Sequence, residues 1–231
     1  MAVVVGHDAI HVNVPRLPPG QTAGYTTGTA DIRWTAGDWA AHRKAVRICQ
    51  DSGSDHTADV LDVERGAAAN ADACRWFPPT LAAFQAAARP GQRSPAVYTS
   101  ASNVTPLVNA LVAAGIKSGA GLWVANWDLS SAQAVADVEN AAGPFPIVGV
   151  QYASGEFYDT NVFSSGWLAR VSVAGMHKHQ TKAGDTVASL AASRSMQPAS
   201  WLALQGQLGA DTGALAAGPL KAGVEWRSVN P

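Results

Sequence analysis

The chain has 231 residues, 47% of them hydrophobic and 14% charged, with a formal net charge of -1. That length accommodates one domain of about 170 residues and a second of about 50. The weak charge argues against nucleic acid as a partner, and no apolar stretch reaches the roughly 18 residues of a membrane helix.

The first element is the β-branched run Val3-Val-Val5, closed by Gly6. Nothing basic precedes it and it is too short for a secretory signal, so the expected routes outward are cell lysis or carriage on a phage particle. Ala23–Thr27 reads as a second strand, and Thr35-Ala-Gly-Asp38 as the cap of a short helix reaching His42. Ala45–Cys49 and Ala58–Val63 read as strands. Pro78 and Pro79 are expected to open a helix that ends before Pro90-Gly91. Ala96–Tyr98 is a strand, followed by a helix capped by Ser102 or Asn103 that stops at Gly115. Leu122–Ala125 is a strand, Ser130-Ser-Ala-Gln133 a capping box, Ile147–Tyr152 a strand, and Asp159–Phe163 a last short one.

Repeated βα units imply parallel strands with both faces covered. Eight strands imply a closed TIM-like (β/α) barrel with some helices missing, spanning residues 1–172. An open doubly wound sheet is the alternative, but no GxGxxG or Walker sequence marks a nucleotide site. Cys49 and Cys74 have no zinc spacing, and two buried thiols are favoured over a disulfide. Residues 173–180 read as a linker. Residues 181–231 read as a compact unit in the order strand, helix, helix, strand, with Trp201 in the second helix and a closing strand over Leu220–Trp226.

Barrel enzymes work at the C-terminal ends of their strands. Asp8, Asp62, Glu64 and Asp159 all fall at or near such ends. Asp62 and Glu64, two apart on a strand, should share a face, and crowding should raise one of their pKa values. A carboxyl kept protonated near neutral pH can donate its proton to a leaving glycosidic oxygen. Trp123, Trp127 and Tyr152 could form a platform for a sugar. The scattered histidines His7, His11, His177 and His179 make no metal set.

The ordered segments Leu61-Asp-Val-Glu64, Ala96-Val-Tyr-Thr-Ser100, Leu122-Trp-Val-Ala-Asn-Trp127, Val150-Gln-Tyr152 and Asp159-Thr-Asn161 resemble glycoside hydrolase family 25, the Chalaropsis-type muramidases, over roughly residues 1–168. A related glycoside-hydrolase-like barrel family fits about as well. The resemblance implies cleavage of the β-1,4 bond after N-acetylmuramic acid in peptidoglycan, with no metal or cofactor. Glu64 would be the general acid, Asp62 its acidic neighbour, Asp8 the first-strand aspartate and Asp159 that of the closing motif. The substrate's N-acetyl group would be the nucleophile, assisted by an aspartate. Tyr98, Trp123, Trp127, Gln151 and Tyr152 would line the substrate site. Two segments depart from the family: Asp8-Ala-Ile-His11 on the first strand, and Gly24-Tyr-Thr-Thr-Gly28 on the second.

The C-terminal unit is similar to a LysM module in Thr181-Lys-Ala-Gly-Asp-Thr186, Leu190-Ala191, Trp201 and Leu220-Lys-Ala-Gly-Val224. That resemblance implies a βααβ fold that binds N-acetylglucosamine-containing glycan, with Gly184, Asp185 and Thr186 at the site. Three functions follow. The first is a peptidoglycan muramidase tethered by its LysM-like module. The second is a structural part of a phage tail, capsid or injection device, with other virion or tail proteins as partners. The third is a glycan binder with an inactive barrel.

Overall fold

The computed structural model describes residues 2–51, 55–85, 93–141, 143–169, 176–182, 185–192 and 225–229. Eight strands close into one barrel in sequence order. They are β1 (Val3–Asp8), β2 (Gln21–Tyr25), β3 (Val46–Cys49), β4 (Val60–Asp62), β5 (Ala96–Ser100), β6 (Gly121–Ala125), β7 (Ile147–Ser154) and β8 (Asp159–Ser164). Strands β1 to β7 are mutually parallel, whereas β8 runs antiparallel to both β7 and β1. An all-parallel barrel is therefore corrected at its last strand. The Gly155–Tyr158 link is too short for a crossover and can only make a hairpin.

Helices cover part of the outside. They are α1 (Ala36–Ala41), α2 (Asn70–Gln85), α3 (Val104–Ala113), α4 (Ser131–Glu139) and, after β8, α5 (Ser165–Leu168). A short 3-10 helix (His11–Arg16) replaces a full helix between β1 and β2. Ser130 forms the expected capping box with Gln133, and the cap expected at Thr35 is likewise a capping box, with Asp38. Helix α2 begins at Asn70, eight positions earlier than Pro78 would place it, and both prolines lie inside it. An interior proline costs about 3 kcal/mol. Burial of Trp76, Phe77 and Phe84 offsets that cost, and the Thr80 hydroxyl donates to the Trp76 carbonyl at 2.7 Å.

Alternation along the strands sorts two cores. Leu61, Val63, Val97, Leu122 and Val124 face outward against Trp76, Phe77, Leu107 and Leu111 of α2 and α3. Ala23, Val46, Ile48, Val60, Ala96, Tyr98, Trp123, Val148, Phe163 and Trp167 fill the barrel. Phe163 fits inside because its neighbours are glycines. A Cβ on Gly6 or on Gly149 would come within 2.8 Å of its ring.

The N-terminal end of the barrel is plugged. Asp59 accepts from Arg93 Nη1 at 3.0 Å and from the Arg93 and Arg47 backbone N–H groups at 3.2 and 3.1 Å. The Arg93 guanidinium also donates to the Lys44 carbonyl at 2.7 Å and lies 5.8 Å from the Trp167 ring centre. Trp167, carried by α5, donates to the Ser94 carbonyl at 2.9 Å. Charge buried at this end is therefore paired and hydrogen-bonded, as burial demands.

Beyond the barrel, β9 (Met176–Gln180) pairs antiparallel with β10 (Glu225–Val229), and α6 (Val187–Ala192) follows the first of them. Residues 176–180 are thus strand, which corrects their reading as linker. Asp185 accepts from the Lys182 N–H at 2.7 Å, and Thr186 caps α6 by accepting from the Ser189 N–H at 3.0 Å. Gly184, Trp201, the second expected helix and Leu220–Val224 lie outside the described residues. Cys49 and Cys74 are both free thiols, the first buried and the second half-buried.

Candidate active site at the barrel mouth

The end opposite the plug is the C-terminal mouth of the parallel strands. Asp8 ends β1, Asp62 ends β4, Glu64 lies two residues beyond β4, and Asp159 opens β8. The antiparallel return of β8 brings Asp159 here, directly opposite Asp8 in the β1–β8 register. Like charges at such a position repel. Two amides intervene. Asn161 donates to Asp8 Oδ1 at 2.7 Å, while Gln151 donates to Asp8 Oδ1 at 3.2 Å and to Asp159 Oδ2 at 3.1 Å. Asn161 is in turn held by Trp123, whose indole N–H donates to Asn161 Oδ1 at 2.9 Å.

The four carboxyls differ in exposure and in proton affinity. Asp8 is 5% exposed and its carboxyl is pushed up to about 7, first by burial and then by the charge of Asp159, with the two amides pulling the other way. Asp62 is 1% exposed and pushed up to about 8, again by burial first and then by the charge of Glu64. The Gln50 side chain opposes that rise, yet neither Asp62 oxygen gains a hydrogen bond of good geometry. Glu64 is exposed, and its carboxyl is held above the ordinary value by partial desolvation and by the charge of Asp159. Strand β4 ends at Asp62, so the strand-alternation rule does not extend to Glu64; the two acids interact through charge with one inside and one out. Asp159 is half-buried.

Two phenols complete the cluster, neither of them able to ionise at ordinary pH. Burial, followed by the surrounding carboxylates, pushes Tyr25 and Tyr98 well above the usual tyrosine value. Tyr25 was not among the site residues expected from the sequence. Its signal is its place at the C-terminal end of β2, in the very segment that departs from the muramidase pattern. Asn161 was likewise visible only as part of a motif.

The three aromatic platform candidates separate. Trp123 is 0% exposed, edge-on to Tyr98 at 5.2 Å and to Phe163 at 4.9 Å, so neither of its faces is open to a sugar. Tyr152 packs on the outer layer with Val150 and Val162 beneath α4. Trp127 stands just past β6, 62% exposed, with its indole N–H on Gln151 Oε1 at 3.2 Å. Tyr98 is 7% exposed and donates its hydroxyl proton to the same Gln151 oxygen at 2.7 Å.

A groove of about 580 Å³ leads away from the acids, bounded by Glu64, Arg65, Gly66, Asn70, Ser100 and Asn103. Asn70 and Asn103 brace it through reciprocal amide hydrogen bonds of 3.2 and 2.9 Å. Among the described residues no group of three or more His, Cys, Asp or Glu is placed to hold a metal ion. None of the described helices is long and apolar enough to cross a membrane.

The arrangement offers one accessible acid with raised proton affinity, buried acids behind it, neutral phenol donors and an open ring at the rim. Such a set suits proton donation to a leaving oxygen beside a stabilised positive charge. No family model and no curated protein sequence matches the chain. Among solved structures it is similar to an uncharacterized B. stearothermophilus protein, known from a 1.07 Å crystal structure, with 16% identity and a TM-score of 0.48 over 72% of this chain and 98% of that one.

Proposed function

We propose that the barrel is a glycoside hydrolase of muramidase type, acting on peptidoglycan glycan strands, and that the C-terminal unit is a LysM-like module that keeps it at the wall. The observation that carries this reading is the division of labour among the acids. Only Glu64 of the four is exposed, it is held toward its protonated form, and it borders the groove.

In this reading Glu64 donates its proton to the glycosidic oxygen as the bond to the anomeric carbon breaks. The oxygen of the substrate's own N-acetyl group closes on that carbon, and water later opens the resulting ring. Asp8 and Asp159 stabilise the positive charge that develops on the sugar. Trp127 stacks on a sugar ring at the rim, and the groove beyond Glu64 receives the next sugar. The test is product analysis. Purified peptidoglycan incubated with the full chain should release fragments with new reducing ends on N-acetylmuramic acid. Intact glycan after prolonged incubation with folded protein would overturn the reading and favour the assembly role considered from the sequence.

A further inference from the structure

We infer that Gln151 is a positioning residue, which ties the exposed Trp127 ring and the Tyr98 hydroxyl to the Asp8 and Asp159 carboxylates, and that it is not a ligand for the sugar. Its side chain is 2% exposed. A carboxamide has two N–H groups to donate and two lone pairs to accept with. Both N–H groups are engaged, by Asp8 at 3.2 Å and Asp159 at 3.1 Å. Both lone pairs are engaged, by Tyr98 at 2.7 Å and Trp127 at 3.2 Å. Nothing is left for a substrate hydroxyl.

The amide cannot be turned over. An indole N–H can only donate, so a flipped Gln151 would set its own N–H groups against that of Trp127. The strand supports the placement. Val150 and Tyr152 face the outer layer and Gln151 between them faces inward, as strand alternation requires, and Gln151 pairs in register with Asn161 of β8. The amide therefore joins the exposed Trp127 ring to two aspartates that stand directly opposite each other. Its hydrogen bond to Asp8 favours the charged form of that carboxyl.

The effect on turnover rests on the hydrolase reading, while the effect on Asp8 does not. The first experiment is a carbon-13 NMR titration of the Asp8 carboxyl in the full chain, comparing wild type, Gln151→Met and Gln151→Glu. Loss of a hydrogen bond to a charged group should raise the proton affinity of Asp8 about tenfold in Gln151→Met. Gln151→Glu retains both acceptors for Tyr98 and Trp127 and adds a negative charge, so it should raise that affinity at least as far. It also serves if the Met variant does not fold. In Gln151→Met the Trp127 indole N–H should exchange with solvent faster. An Asp8 titration unchanged in the folded variants would overturn the inference. The second experiment is kinetic: Gln151→Met should lower kcat and move the pH profile upward with KM within about twofold. A raised KM with kcat and pH profile intact would instead make Gln151 a sugar ligand. If the wild type releases no reducing ends, the hydrolase reading fails, and the Asp8 titration still decides the role of Gln151.

Discussion

Replacing Asp62 with asparagine should remove a pH-dependent penalty on folding. In the folded barrel the Asp62 carboxyl titrates at about 8, against 3.8 for the free side chain. Between those values the folded chain holds a proton that the unfolded chain has released. Stability therefore falls as pH rises through this window, and the penalty is complete above the folded value. Each pH unit is worth about 1.4 kcal/mol, so the whole window amounts to on the order of 6 kcal/mol. Asparagine does not titrate. Relative to wild type, Asp62→Asn should gain about 1.4 kcal/mol per pH unit between pH 5 and pH 8, then level off. The neutral amide adds an offset independent of pH. Asp8 titrates in both proteins, and since its charge is the smallest influence on Asp62, most of its own pH dependence cancels from the difference. Urea unfolding followed by tryptophan fluorescence at unit steps from pH 5 to pH 9 measures this directly. A stability difference that stays constant across the series would refute the reasoning.

Other substitutions probe separate parts of the account. Asp59→Ala strands the buried Arg93 guanidinium and should cost about 3–5 kcal/mol in urea unfolding, much of it recovered when Arg93→Met is added. Gly149→Ala drives a Cβ to within 2.8 Å of Phe163 and should cost about 1–3 kcal/mol, relieved in the Phe163→Leu background. Trp127→Ala should keep its melting temperature and raise KM for soluble glycan fragments several-fold; the interior Trp123→Ala should lose about 3–5 kcal/mol of stability.

Local chemistry was legible in the sequence where a few neighbouring residues decide it. Ser130 with Gln133 marks the start of α4, and Val3-Val-Val5 marks β1, without reference to the rest of the chain. The acids at strand ends were legible for the same reason. What escaped depends on closure of the barrel. The prolines Pro78 and Pro79 read locally as a helix start, but the buried aromatics around them carry the helix through. Nothing in the Leu122–Trp127 segment alone distinguishes the sealed Trp123 from the open Trp127. Trp123 falls on the inward face of β6 and Trp127 lies past its end, which matters only once Phe163 and Tyr98 have closed around the former. The amide network is more remote still. Gln151 and Asn161 meet Asp8 from 143 and 153 positions away, a separation that no local pattern records.

The reversal of β8 has the same character and the largest consequence. A parallel eighth strand would begin at the plugged end and present its C-terminus at the mouth. The hairpin after Ser154 instead begins β8 at the mouth, with Asp159 facing Asp8 and Phe163 deep between Gly6 and Gly149. One short link thus sets both the carboxylate pair and the packing beneath it.

In the proposed function Glu64 is the proton donor of a wall-degrading enzyme. The deciding measurement compares release of reducing ends from purified peptidoglycan by wild type and by Glu64→Gln, which retains the side-chain shape and removes the acidic proton. Glu64 is exposed, so the variant should fold as the wild type does. Wild type should hydrolyse the glycan, and Glu64→Gln should lose at least a hundredfold in rate. Equal rates in the two proteins, or no hydrolysis by folded wild type, would contradict it.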